Sequence, residues 1–175
     1  MLSILQLIVD TVATVLGGVL LLRFWMQAIR VRPPASVAQF TFTLSDWLVK
    51  PLRRIVPGAG GYDWASLIGA FLVVLLATSI LFLIGASAEQ VLLMALARFV
   101  KWIIYGFIAL LIIEAIFSWV NPHAPLAPFV HALNDPLLRP IRKVVPPIGG
   151  LDLSVLVAVL LLQIVLYLVR TVVPV

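Results

Sequence analysis

The chain contains no cysteine. That excludes disulfides, thiolate metal sites and cysteine nucleophiles. Charge is also scarce, at 11% of 175 residues, against 63% hydrophobic residues. No catalytic triad, phosphate-binding loop or histidine/carboxylate set at metal-ligand spacing can be found, and the expectation is a protein that is not an enzyme and holds no metal or cofactor. With a mean hydropathy of +1.21, the chain carries more apolar side chain than a soluble domain of this length could bury. Lipid must solvate it.

Four stretches reach the roughly 20 residues of helix needed to cross a hydrocarbon core of about 30 Å. They lie near Leu2 to Ile29, Trp64 to Gly85, Val91 to Val120 and Leu153 to Val173. A backbone in lipid must satisfy its own hydrogen bonds, so all four are read as helices. The first has no basic residue before Arg23 and is longer than a signal core, which makes it a permanent span.

Pro33 to Ser66 aligns without a gap on Pro122 to Val155 at a constant offset of 89, with fourteen of thirty-four positions identical. Each copy lies between apolar runs. The unit is therefore span, basic loop, span. The fold class expected is an all-α membrane protein: a single membrane domain over 1–175 with four transmembrane helices. Two tandem helix–amphipathic loop–helix repeats, 1–86 and 87–175, would share one orientation.

A net charge of +5 and a pI near 10.3 would suggest nucleic acid in a soluble chain. Here the charge location suggests otherwise, and no nucleic acid is expected. Nine of the twelve basic residues flank the two repeated loops, leaving Arg98, Lys101 and Arg170 for the other face. This split places both loops in the cytoplasm and both termini outside, in the periplasm where there is one.

Within each loop, apolar residues recur at steps of three and four: Val37, Phe40, Leu44, Trp47, Leu48, Leu52, Ile55 and Val56 in the first, Phe129, Leu133, Leu137, Ile141, Val144 and Val145 in the second. Such segments lie in the interface plane with cations toward lipid phosphates. Lys50, Arg53, Arg54, Arg139, Arg142 and Lys143 are the candidates for contact with anionic phospholipid, or with a cytoplasmic or membrane protein partner. Pro51 and Pro140 each remove a backbone donor, so a kinked pair of short interfacial helices is expected in both loops. Asp46 precedes Lys50, and Asp135 precedes Arg139, at the spacing of an intrahelical ion pair.

A Pro-x-x-Gly-Gly-x-Asp tract closes both loops. The glycines suit a tight reversal. Asp63 and Asp152 stand directly before apolar helices, where a carboxylate caps the first turn; an ion site formed by the two aspartates is the sharper alternative.

A charge inside a span costs at least about 2.5 kcal/mol and calls for a partner or a role. Glu114 is the clearest, and the repeat offset carries it back to Trp25, within a helical turn of Arg23. Arg23 either pairs with Glu114 or snorkels to the headgroups. At the opposite end the same offset sets Asp10 beside Arg98. Gln27 and Gln163 read as interhelical hydrogen-bond donors, while His123 and His131 have no partner at metal-ligand spacing.

Leu20 to Gln27, Ser118-Trp119 and above all Asp135 to Ser154 resemble the YggT/YlmG family of small integral membrane proteins, over nearly the whole chain and in the two-repeat form of Gram-negative bacteria. Glu114 lies outside that family's pattern. The resemblance implies a multi-pass protein of the bacterial inner membrane, with members linked to osmotic stress and potassium uptake and relatives linked to cell division, nucleoid distribution and photosynthetic complex maturation. Two functions are carried forward. One is a non-enzymatic protein whose basic amphipathic loops dock on anionic lipid or a partner, in membrane or osmotic-stress homeostasis or complex assembly. The alternative is an oligomeric potassium channel or transporter, or a regulator of one, in which copies of the chain surround a path.

Overall fold

A computed structural model describes residues 2–145 and 152–172. Gly149 and Gly150 of the second reversal, and Val173 at the end of the fourth expected span, lie outside the described residues. Six α-helices follow in order: α1 (Leu2–Ala28), α2 (Ala35–Ile55), α3 (Trp64–Thr78), α4 (Ala88–Val120), α5 (Ala127–Arg142) and α6 (Ser154–Val172). A 3₁₀ segment, Ser79–Ile84, extends α3. Four of the helical stretches are long and apolar enough to cross a membrane: Ile4–Ala28, Trp64–Leu83, Ala88–Val120 and Ser154–Thr171.

Local chemistry accounts for the boundaries. Ser87 and Gln90 form a reciprocal capping box at the start of α4, Gln90 N–H donating to Ser87 Oγ at 3.3 Å and Ser87 N–H to Gln90 Oε1 at 2.9 Å. Between α2 and α3, Gly60 and Gly61 take φ of +67° and +83°, the left-handed region that side chains resist. The chain there reverses within a few residues.

Each loop helix is one continuous element rather than two: α2 runs through Pro51, and α5 through Pro136 and Pro140. A proline deletes one ladder bond, and packing on both sides offsets that loss. Val49 and Leu138 are fully buried next to their prolines, Val49 with Leu20, Ala65 and Ala70, Leu138 with Leu111 and Ala158.

These two clusters are the core. Small residues make the first possible: Ala65 and Ala70 are buried on α3, and a Cβ on Gly69 would already meet Leu52 at 3.3 Å. Outward, large apolar residues such as Leu76, Ile112, Leu156 and Tyr167 stand exposed, as a lipid-solvated bundle requires.

Cross-links fix the arrangement of the helices. The Trp25 indole on α1 donates to the Leu133 carbonyl on α5 at 2.9 Å and meets Phe107 of α4 edge-on. Arg23, two residues earlier on α1, bonds α2, so both loop helices sit at the same end of the bundle. Toward the other end, Arg98 pairs with Asp10 at 2.6 Å, the contact suggested by the repeat offset, and Arg170 donates to Tyr105 at 2.6 Å.

Candidate functional site

Besides the Asp10–Arg98 pair at the other end, two clusters of charged groups lie under the two loop helices. Under α2, Arg53 forks onto Asp63, Nη2 to Oδ2 at 2.7 Å and Nε to Oδ1 at 3.2 Å. Asp63 is also the N-cap of α3, accepting from the Ser66 hydroxyl at 2.6 Å and more loosely from its N–H at 3.4 Å. The carboxylate is only 2% exposed, so one residue both caps a span and ties down the helix before it.

Arg23 enters this cluster from α1. Its Nη1 donates to Ser45 Oγ at 2.6 Å and to Asp46 Oδ1 at 2.7 Å, while Nε stands 3.4 Å from Asp63 Oδ2. The guanidinium also lies over the Phe42 ring. Lys50 reaches Asp46 from the next turn at 2.9 Å.

The second cluster uses the same pair at the same spacing. Arg142 meets Asp152 through Nε and Nη2, both at 2.8 Å from Oδ2, and Asp152 accepts the Ser154 N–H at 3.0 Å where α6 begins. Here α4 contributes an anion instead of a cation. Glu114 Oε1 lies 3.1 Å from Arg142 Nη2 and 3.0 Å from His131 Nδ1, and Asp135 is 3.8 Å from Arg142.

Electrostatics follow from these contacts. Hydrogen bonds from Lys50 and Arg23 hold the Asp46 carboxyl below its ordinary range. Burial pushes Asp63 and Asp152 up, but hydrogen bonds from Arg53 and Ser66, and from Arg142 and Ser154, outweigh it and leave both depressed. All three aspartates are charged near neutrality.

Several expected site residues are placed differently from the sequence reading. Arg23 and Glu114 do not meet; each finds opposite charge on its own loop helix, and Arg23, 6% exposed, does not snorkel. Arg53 and Arg142 each pair with an aspartate, Arg53 while still 46% exposed. Lys50, Arg54, Arg139 and Lys143 remain exposed. Asp63 and Asp152 accept backbone N–H groups at the starts of their spans but belong to separate clusters, each with its own arginine. His131, which has no partner at metal-ligand spacing, meets Glu114 of α4 at 3.0 Å. Gln27 reaches only the Gly61 carbonyl, at 3.4 Å, and Gln163 is exposed, with no hydrogen bond among the described residues.

Asp46 escaped the sequence reading as Arg23's partner, because its i+4 lysine accounted for it locally. No spacing within α2 marks a partner on α1, so the sequence carried no signal for this pair.

Two cavities adjoin these elements. One of about 320 Å³ lies between α1, α3 and α4, with Leu21, Trp25, Leu67, Trp102 and Phe107 in a lining that has no ionisable group. The other, about 880 Å³, lies between α4, α5 and α6 and is lined by Glu114, His131, Arg142 and Asp152 as well as apolar residues. No group of histidines and carboxylates among the described residues could hold a metal ion.

Four membrane-length helices, with two amphipathic loop helices latched to the same end by arginine–aspartate pairs, define a multi-pass helical membrane protein. The family model CCB3/YggT matches residues 1–84 and 93–173. The chain belongs to the CCB3/YggT family. It is 33% identical to the uncharacterized protein YggT of Escherichia coli K12 over 169 residues, 92% of this chain and 86% of the relative. It is 36% identical to an uncharacterized protein of Pseudomonas aeruginosa, over 90% of this chain and 84% of that one. An uncharacterized protein of Vibrio alginolyticus encoded in the proC 3′ region is 35% identical, covering 83% and 82%. No solved structure matches the chain.

Proposed function

We propose that the chain is a non-enzymatic protein of the bacterial inner membrane whose two loop helices, α2 and α5, are amphipathic wedges on anionic phospholipid at the cytoplasmic face. In this reading the two halves, 1–86 and 87–175, are parallel repeats with periplasmic termini. The docking cations are Lys50, Arg54, Arg139 and Lys143. Arg53 and Arg142, which sequence alone grouped with them, instead hold each wedge at a set angle to the next span.

The observation that carries this is the mixed outer surface of the wedges. Arg54, Arg139 and Lys143 are exposed without a carboxylate partner among the described residues, beside exposed Phe40, Trp47, Ile55 and Val144. Aromatic and aliphatic groups favour the acyl boundary, and each cation adds about 1 kcal/mol of attraction to an anionic surface. A wedge organising such lipid, or presenting it to a partner, suits the osmotic-stress and assembly roles linked to the family.

The experiment is charge reversal, Arg54→Glu with Arg139→Glu and Lys143→Glu, in the purified full chain in nanodiscs of mixed phosphatidylglycerol and phosphatidylcholine. The chain enriches phosphatidylglycerol around itself, and the triple variant, still inserted, does not. Equal enrichment by both overturns the reading. The same proteoliposomes test the channel alternative: potassium flux down a gradient, absent in empty vesicles, would favour it.

A further inference from the structure

Glu114 is a buried carboxylate left half satisfied. It is 8% exposed, and while Oε1 faces both His131 and Arg142, Oε2 has no hydrogen-bond partner among the described residues. A buried acceptor without a donor forfeits the hydrogen bonds that water gave it in the unfolded chain. It also lines the 880 Å³ cavity, so there is room beside it for a donor.

The charge balance points to the sign of that donor. Under α2, Asp46 and Asp63 face three cations, Arg23, Arg53 and Lys50. Under α5, Glu114, Asp135 and Asp152 face Arg142 and one histidine. The repeat offset puts Ile112 where the first half has Arg23. The second cluster lacks the cation that α1 supplies to the first.

The walls indicate what carries the cation. Ile112, Ile116, Trp119 and Leu156 line the cavity and are themselves exposed on the outside of the bundle, so it opens sideways toward lipid. His131, 55% exposed, stands beside Glu114 near the cavity mouth. We infer that this cavity binds an amphiphile with a primary ammonium headgroup, of the phosphatidylethanolamine class, its N–H groups donating to Glu114 Oε2 and its chain lying along Ile116 and Leu156. A primary ammonium supplies both the charge and the donor, whereas a trimethylammonium supplies charge alone. This site is distinct from the exposed cations of the two wedges.

Native mass spectrometry of the full chain released from detergent measures the lipids retained. Phosphatidylethanolamine is retained about ten-fold over phosphatidylcholine of the same chains, the value of one good charge-assisted hydrogen bond. Phosphoethanolamine, which has the head without the tail, is not retained; if it is, the site is one for a soluble amine and the lipid proposal falls. Glu114→Gln removes the discrimination. Leu156→Trp, which adds bulk where the lipid chain would lie and leaves the carboxylate intact, also reduces it and guards against a misfolded Glu114→Gln. Equal retention of the two lipids by wild type, or an undiminished preference in Leu156→Trp, overturns the proposal. The triple charge reversal at Arg54, Arg139 and Lys143 leaves the preference for phosphatidylethanolamine unchanged, so failure of the wedge reading and failure of this one are separately visible.

Discussion

Arg53 and Asp63 stand ten residues apart in the chain and 2.7 Å apart in space. Between them lies the whole reversal from α2 into α3, including both positive-φ glycines. The pair fixes the angle at which the loop helix leaves the bundle, because Asp63 is simultaneously bound to the first turn of α3. Arg142 and Asp152 span the same ten residues between α5 and α6.

The two latches are unequal in burial, and their removal should cost unequally. Asp63→Ala leaves Arg53 and the buried Arg23 short of a counter-charge and deletes the α3 cap, a loss of about 3–5 kcal/mol. Asp152 is 34% exposed, so water substitutes for it, and Asp152→Ala costs about 1–2 kcal/mol. Unfolding in a mixed-micelle denaturant titration, followed by circular dichroism, gives both values. Equal losses would remove burial as the deciding factor.

Acid should loosen the loop helices. Asp46, Asp63 and Asp152 all hold pKa values depressed below the ordinary 3.8 in the folded chain. The folded chain thus binds those protons less readily than the unfolded one, so their contribution is present above that value and is lost as pH falls through the depressed ones. Thermal midpoints in detergent stay level for these groups from pH 7 to 5 and drop below about pH 4. Asp63→Asn, which has no proton to take up, flattens the drop.

Span number and the basic loops were legible because lipid imposes length and composition on the sequence directly. Pairing inside the bundle was not. The repeat offset sets Arg23 and Glu114 at similar depth, but depth says nothing about the direction in which a side chain leaves its helix. Where the axial match happened to coincide with facing sides, as for Asp10 and Arg98, the reading agrees with the structure. Asp46, spoken for by Lys50 at i+4, concealed its longer-range partner Arg23, and His131 concealed a partner seventeen residues earlier on another helix. Pro51 and Pro140 predict a bend or a restart, and α2 and α5 each run through theirs as one helix with Val49 and Leu138 fully buried nearby.

Adjacent glycines on α1 should respond in opposite ways. A Cβ at Gly17 would run into the Trp102 ring, whereas one at Gly18 meets nothing within 4 Å. Displacing Trp102 also disturbs Arg98, which lies over that ring and pairs with Asp10. Gly17→Ala therefore destabilises by about 1–3 kcal/mol, and Gly18→Ala is neutral or stabilising by less than about 1 kcal/mol. Adding Trp102→Ala makes Gly17→Ala nearly silent, which a double-mutant denaturation series reads directly.

The separation of the two ionic clusters has its own signature in energetic coupling. Groups that share no partner contribute independently, whereas groups in one network do not. Arg23→Met and Glu114→Gln should add within about 0.5 kcal/mol, because Arg23 bonds Ser45 and Asp46 while Glu114 bonds Arg142 and His131. Arg53→Met and Asp63→Asn should fall short of additivity by about 1 kcal/mol or more, since either change alone already breaks the fork. Both cycles are measured by the same denaturant titration. Coupling between Arg23 and Glu114 as large as that between Arg53 and Asp63 would mean that the two meet in the membrane after all, and that the charge deficit around Glu114 is filled from within the chain rather than by lipid.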